Sequence, residues 1–208
     1  MGIEIQDHSR NLICLLQQLN KKKVFLDKLS NLIQCEDPAI IKPEEEVPVL
    51  IIDFKRAGFQ ITAIKKNLQI ISIAPPEAKT ARDFAELTQK VLEAFGEHEI
   101  TAYGFNFSYT IKSVKDIAKH FNIKFEKPKT DEWLIIPSTS IKLMFDKADT
   151  KFTLNVADGP EKVMKVDVNV HHEEALTTNL LSKKIALLYN NASKNSLVLV
   201  KAVLGQDE

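Results

Sequence analysis

The sequence predicts an α+β protein, a mainly antiparallel sheet with helices on one face and an N-terminal helical arm. Three observations predict it. Apolar runs of strand length follow one another across short turns in residues 47–74 and 133–170, and consecutive strands joined by tight turns pair antiparallel. Residues 80–95, and a segment from Thr177 or Thr178 to about residue 190, carry apolar side chains at helical spacing instead. Each of these follows strand-like runs and precedes another. The chain therefore reads as two loosely similar strand-strand-strand-helix-strand halves, 47–122 and 133–204, without residue identity between them.

Residues 1–46 read as the helical arm and a linker, ahead of an α+β domain at 47–208. Within 8–34, Leu12, Leu15, Leu16 and Leu19 form one helical stripe, and Phe25, Leu26, Leu29, Leu32 and Ile33 another. Lys21, Lys22 and Lys23 lie between them, where the segment folds back or bends. So many leucines need a partner surface, the sheet or a second copy of the chain. Residues 36–46 hold Pro38, Pro43 and the run Glu44, Glu45, Glu46, which reads as a solvated linker.

The domain opens with a buried strand at 47–54, almost wholly apolar apart from Asp53. A carboxylate there needs a partner or a strand-end position, and the nearby Lys55 and Arg56 provide for it. Gly58 suits a turn with positive φ. Phe59, Ile61 and Ala63 alternate with polar residues as a second strand. Lys65, Lys66 and Asn67 make the next turn, and 68–74 is a third strand stopped by Pro75 and Pro76.

The helix at 80–95 has Thr80 and Asp83 as a carboxylate variant of the capping box. Its stripe is Ala81, Phe84, Leu87, Val91 and Phe95, and Gly96 ends it. In residues 100–111, Tyr103, Phe105, Phe107, Tyr109 and Ile111 point one way and Ala102, Gly104, Asn106, Ser108 and Thr110 the other. The matching stripes predict that the aromatic face is buried under the helix at 80–95.

Residues 113–121 read as a short helix and 122–132 as a connection. Strands follow at 133–136, 141–145, 152–156 and 166–170, with turns at 146–150 and 158–160. The final run, 197–203, reads as a strand, although a helix fits the same letters.

Composition narrows the function. The 208 residues are 44% hydrophobic and 27% charged, as suits a packed core. Twenty-eight basic and 28 acidic side chains cancel, which argues against broad nucleic-acid binding through a basic surface. Two cysteines, Cys14 and Cys35, are too few for a disulfide framework or a thiolate zinc cage. No apolar run approaches the ~20 residues of a membrane span. The polar N-terminus shows no signal peptide, and Gln6 breaks the myristoylation pattern begun by Gly2. A cytoplasmic protein is expected.

The candidate cluster of histidines and carboxylates is Asp167, His171, His172, Glu173 and Glu174. Asp167 and His171 would stand roughly 13 Å apart on a flat strand rising ~3.3 Å per residue, too far for one metal. His171 or His172 with Glu173 or Glu174 are the candidate ligands, and a plain surface is the competing reading. The run Tyr103, Gly104, Phe105, Asn106, Phe107 is similar to the sheet motif with which RNA-recognition modules stack bases. It lacks the leading basic residue, and Gly104, Asn106 and Ser108 stand where aliphatic core residues should lie. Ser138, Thr139 and Ser140 offer hydroxyls without a nucleophile elbow, and six glycines provide no phosphate-cradling loop.

No catalytic constellation and no cofactor site follow from these residues. The leading expectation is a non-enzymatic, cytoplasmic module that binds a protein partner or forms a homo-oligomer. The alternatives are a metal-dependent hydrolase using His171 and His172, and a binder of a small apolar ligand.

Overall fold

The computed structural model describes residues 4–18, 39–41, 49–54, 58–72, 83–112, 121, 140–147, 149–158 and 163–204. Among them, ten strands form one antiparallel sheet and two helices accompany it. In chain order these are β1 (Glu4–Leu16), β2 (Ala39–Ile41), β3 (Val49–Phe54), β4 (Phe59–Ile64), β5 (Asn67–Ser72), α1 (Phe84–Phe95), β6 (Glu99–Lys112), β7 (Ser140–Lys147), β8 (Thr150–Asp158), β9 (Met164–His172), β10 (Leu176–Thr177) and α2 (Thr178–Val203). Across the sheet the order is β2-β3-β4-β5-β1-β6-β9-β8-β7, and β10 adds to the end of β6. Among the described residues no helix is long and apolar enough to cross a membrane.

Alternation assigns the two faces. Leu12 stands opposite Phe105 and Ile70, and Phe105 stands opposite Val170. Ile61, Leu154 and Val168 continue the same side, and all are buried. The other side carries Gln60, Gln69, Asn11, Asn106, Asn169 and Thr153. Among the described residues the sheet therefore has one apolar face covered by the helices and one polar face that no described element covers, the usual division of an antiparallel sheet.

The aromatic row of β6 lies on the covered face as expected, with Phe105 and Phe107 fully buried. Its ring partner is Tyr189 on α2, 5.9 Å from Phe105 and 5.7 Å from Phe107. Phe84 of α1 packs on the same ring at 5.4 Å. The rings thus meet α2, and α1 packs beside it. Thr178 fastens the two helices together. Its hydroxyl donates to the Gly96 carbonyl at 2.6 Å and accepts from the His98 amide at 3.0 Å, and its amide donates to the His98 carbonyl at 2.9 Å.

The helical arm is corrected by β1. Residues 8–16 are part of a strand that pairs with β5 on one side and β6 on the other. Leu12, Cys14 and Leu16 fill the covered face, whereas Leu15 lies on the open face and is 41% exposed. Apolar residues on both sides gave helical spacing by coincidence. A bulge between Asp7 and Ser9 resets the alternation, so that Asp7 and Arg10 share the covered face and form an ion pair. The remainder of the expected arm, residues 19–34, lies outside the described residues.

The linker is corrected at three residues, and the rest of it, 36–38 and 42–46, lies outside the described residues. Residues 39–41 form β2, in which Ile40 stands opposite Ile52 of β3. The expected strand at 197–203 is the end of α2. Its buried residues Leu181, Ile185, Tyr189, Ala192, Ser196 and Val200 continue one helical stripe without a break. Thr177 caps that helix, accepting from the Leu180 amide at 3.3 Å. Asp83 precedes α1 without a side-chain cap bond, and Thr80, the helix expected at 113–121 and the strand expected at 133–136 lie outside the described residues, apart from Asp83 itself and a turn at Phe121. Gly58 takes φ 64° and Gly96 φ 75°, the left-handed values that favour glycine.

Removing a buried aromatic from this row leaves a cavity that α2 and the sheet cannot both close. Phe107→Ala should therefore cost about 3–5 kcal/mol in denaturant unfolding. A loss under about 1 kcal/mol, the scale of ordinary surface substitutions, would show that the row is not the core.

Candidate functional site

The end of β9 brings the histidine and carboxylate cluster into view, and strand alternation divides it. His172 stands opposite Tyr103 and Thr150 on the covered face, and His171 stands opposite Gly104 and Lys151 on the open face. Adjacent strand residues point to opposite faces, so the two imidazoles do not converge. Among the described residues no group of three or more His, Cys, Asp or Glu side chains is placed to hold a metal ion.

On the covered side, the His172 ring stacks on Tyr103 with centroids 4.7 Å apart and planes 15° from parallel. Phe105 meets the same imidazole edge-on at 6.5 Å. Thr150 Oγ1 is 3.4 Å from His172 Nδ1, and the Tyr103 hydroxyl donates to Glu174 Oε2 at 3.4 Å. Burial pushes the His172 pKa below its ordinary value, against the raising field of Glu174 and with the lowering field of His171. Burial, then the Glu174 charge, pushes the Tyr103 phenol upward. Cys14, fully buried on β1, is pushed up to about 12 by desolvation. At neutral pH this corner therefore holds a neutral phenol and a neutral thiol, neither activated as a nucleophile.

On the open side, Lys151 Nζ donates to Glu173 Oε1 at 2.9 Å, and His171 Nε2 is 3.8 Å from the same oxygen. The hydrogen bond to Glu173 raises the Lys151 pKa, and the bond from Lys151 lowers that of Glu173. Both groups are solvated, which leaves the pair little energetic weight. Asp167 turns toward β6, accepting from the Ser108 hydroxyl at 2.6 Å, so it does not join His171.

Several polar contacts arise only from strand pairing. Asn106 donates to Asn11 at 2.6 Å, and Asn169 donates to Asn106 at 2.7 Å, a row of amides across three strands of the open face. Under α2, the Tyr109 and Ser196 hydroxyls share a hydrogen bond of 2.6 Å, and burial pushes the Tyr109 phenol up to about 12. The sequence showed Asn106 and Ser108 on one side of β6 but held no sign of what they would meet.

The remaining expected residues scatter. Tyr103, Phe105 and Phe107 lie under the covered face and are not offered to stacking bases. Ser140 begins β7, while Ser138 and Thr139 lie outside the described residues. Asp53 keeps one buried oxygen, Oδ1, without a hydrogen-bond partner among the described residues, and Lys55 and Arg56 lie outside them. The surface that sequence reasoning missed is β7. This terminal strand of the described sheet leaves Met144 70% and Phe145 36% exposed.

Comparison with known proteins finds no family model that matches the chain and no matching curated protein.

The His172 environment carries a pH signature. Its folded pKa lies below the ordinary 6.5, so between those two values the unfolded chain binds more protons than the folded one. Stability is thus expected to fall as pH drops from about 7 to about 5, the range in which histidine titrates. His172→Phe, which retains a ring against Tyr103, should flatten that part of the stability curve. An unchanged slope would place the pH dependence elsewhere.

Proposed function

We propose that this protein is a non-enzymatic, cytoplasmic binding module that works through protein contacts, with self-association as their simplest form. The observation that carries this reading is the state of β7. Its outer edge is free of any described strand, and it holds the most exposed large apolar side chain among the described residues, Met144. An edge strand with unpaired backbone groups and apolar side chains in water favours strand addition by another polypeptide.

The polar clusters support the same reading by their chemistry. Glu173 is engaged by Lys151, Asp167 by Ser108, and the three asparagines by one another. A hydrolase built on His171 and His172 would need both rings at one centre, and the strand turns them apart.

Sedimentation velocity over a rising concentration series tests this. The full chain is expected to shift from monomer toward a larger species, and Met144→Lys, which sets a charge in the middle of the contact, should hold it at the monomer. A full chain that remains monomeric throughout contradicts self-association. Association that Met144→Lys leaves untouched removes β7 from it.

A further inference from the structure

Resting on that reading, we infer that the partner at β7 is a second copy of the same strand, paired antiparallel about a two-fold axis through Met144. The central five residues of β7, Lys142 to Asp146, are complementary to themselves in this register. Met144 faces its own copy, Lys142 stands opposite Asp146 of the second copy, and Leu143 stands opposite Phe145 of the second copy. Each of the last two pairs occurs twice.

The faces agree. Residues directly opposite in an antiparallel pair lie on the same side of the sheet. Leu143 and Phe145 stand opposite Leu154 and Phe152 of β8, on the covered side. Lys142, Met144 and Asp146 stand opposite Asn155, Thr153 and Lys151, on the open side. The pairing would withdraw both exposed apolar side chains from water, placing Phe145 against a leucine already at the margin of the core.

The charges select this register over its neighbours. Centring the pair on Leu143 would set Lys142 against Met144 and Asp146 against Ser140. Centring it on Phe145 would set Asp146 against Met144 and Lys147 against Leu143. Only the register on Met144 brings the cation and the anion together. A row of alternating charge already runs outward along the open face, from Glu173 to Lys151 to the edge residue Asp146, whose field adds to that on the Lys151 amine. Lys142 of the second copy would continue it. Lys142 itself makes no ion pair among the described residues. Charges on an edge strand discourage pairing with arbitrary strands. Here the two signs are equally distant from Met144, so this register pairs them, and the neighbouring registers leave each charge against an uncharged side chain.

Charge exchange in the full chain tests the register, with dimer dissociation constants read by sedimentation and unfolding midpoints confirming that each variant is folded. Lys142→Asp and Asp146→Lys should each weaken the dimer on the order of tenfold, since two attractive pairs become two repulsive ones. The double variant, Lys142→Asp with Asp146→Lys, should return to within about threefold of the wild type, because swapped charges attract as the originals did. The two positions are four residues apart on one strand, roughly 13 Å, so they cannot compensate each other within a single chain. Single variants that dimerise as tightly as wild type, or a double variant no tighter than the singles, overturn the register while the binding reading stands. A wild type that never dimerises overturns both.

Discussion

The structure depends on where β1 lies. Residues near the start of the chain form the strand between β5 and β6, so they join the hairpins β2–β5 to the group β6–β9. Along one side β1 pairs with β5 from Arg10 to Leu15, and along the other with β6 from Glu4 to Leu16. Without it, β5 and β6 would each present a bare edge, and an apolar row interrupted at Leu12 and Cys14. Both are antiparallel to β1 and therefore parallel to each other, which is the arrangement a helical crossover such as α1 can connect. The link is non-local, so it must close a long loop before its contacts stabilise anything.

From that seam follow the two faces. The covered side gathers Leu12, Phe105, Phe107 and Val168, with Tyr189 against the two rings, while the open side gathers amides, hydroxyls and charges. Two polar pairs on the covered side are bonded to each other, Asp7 with Arg10 and Tyr109 with Ser196. The bulge in β1 makes the first of these possible, and the long reach of α2 the second. The described sheet ends in β2 on one side and β7 on the other. The edges differ, since β2 is three residues long and β7 is eight. A short edge offers little to pair with, and a long one offers a template.

What could be read from the sequence was local. The strands β4, β6, β8 and β9 alternate because one side of each is wet, β3 and β5 read as apolar runs of strand length, and turns flank most of them. β1 resisted because Ile13 and Leu15 place apolar groups on the open side, which turns a period of two into an apparent helical stripe. The end of α2 resisted because its buried positions there include Ala192 and Ser196, too small or too polar to mark a stripe. The site was legible only as a composition. His171 and His172 stand together in the sequence and on opposite faces in space. The amide row joins residues 95 and 63 positions apart, and no single segment announces such a pairing.

The most direct measurement is native-state hydrogen exchange at the amides of β1. A strand paired on both sides at the centre of the sheet should exchange only through global unfolding, with the same opening free energy as β6. Equal protection of Leu12, Ile13 and Cys14 on β1 and Phe105 and Phe107 on β6 is the predicted result. Rapid exchange in β1 while β6 remains protected would show a detachable terminal segment, and would contradict the account of one sheet held together by its first strand.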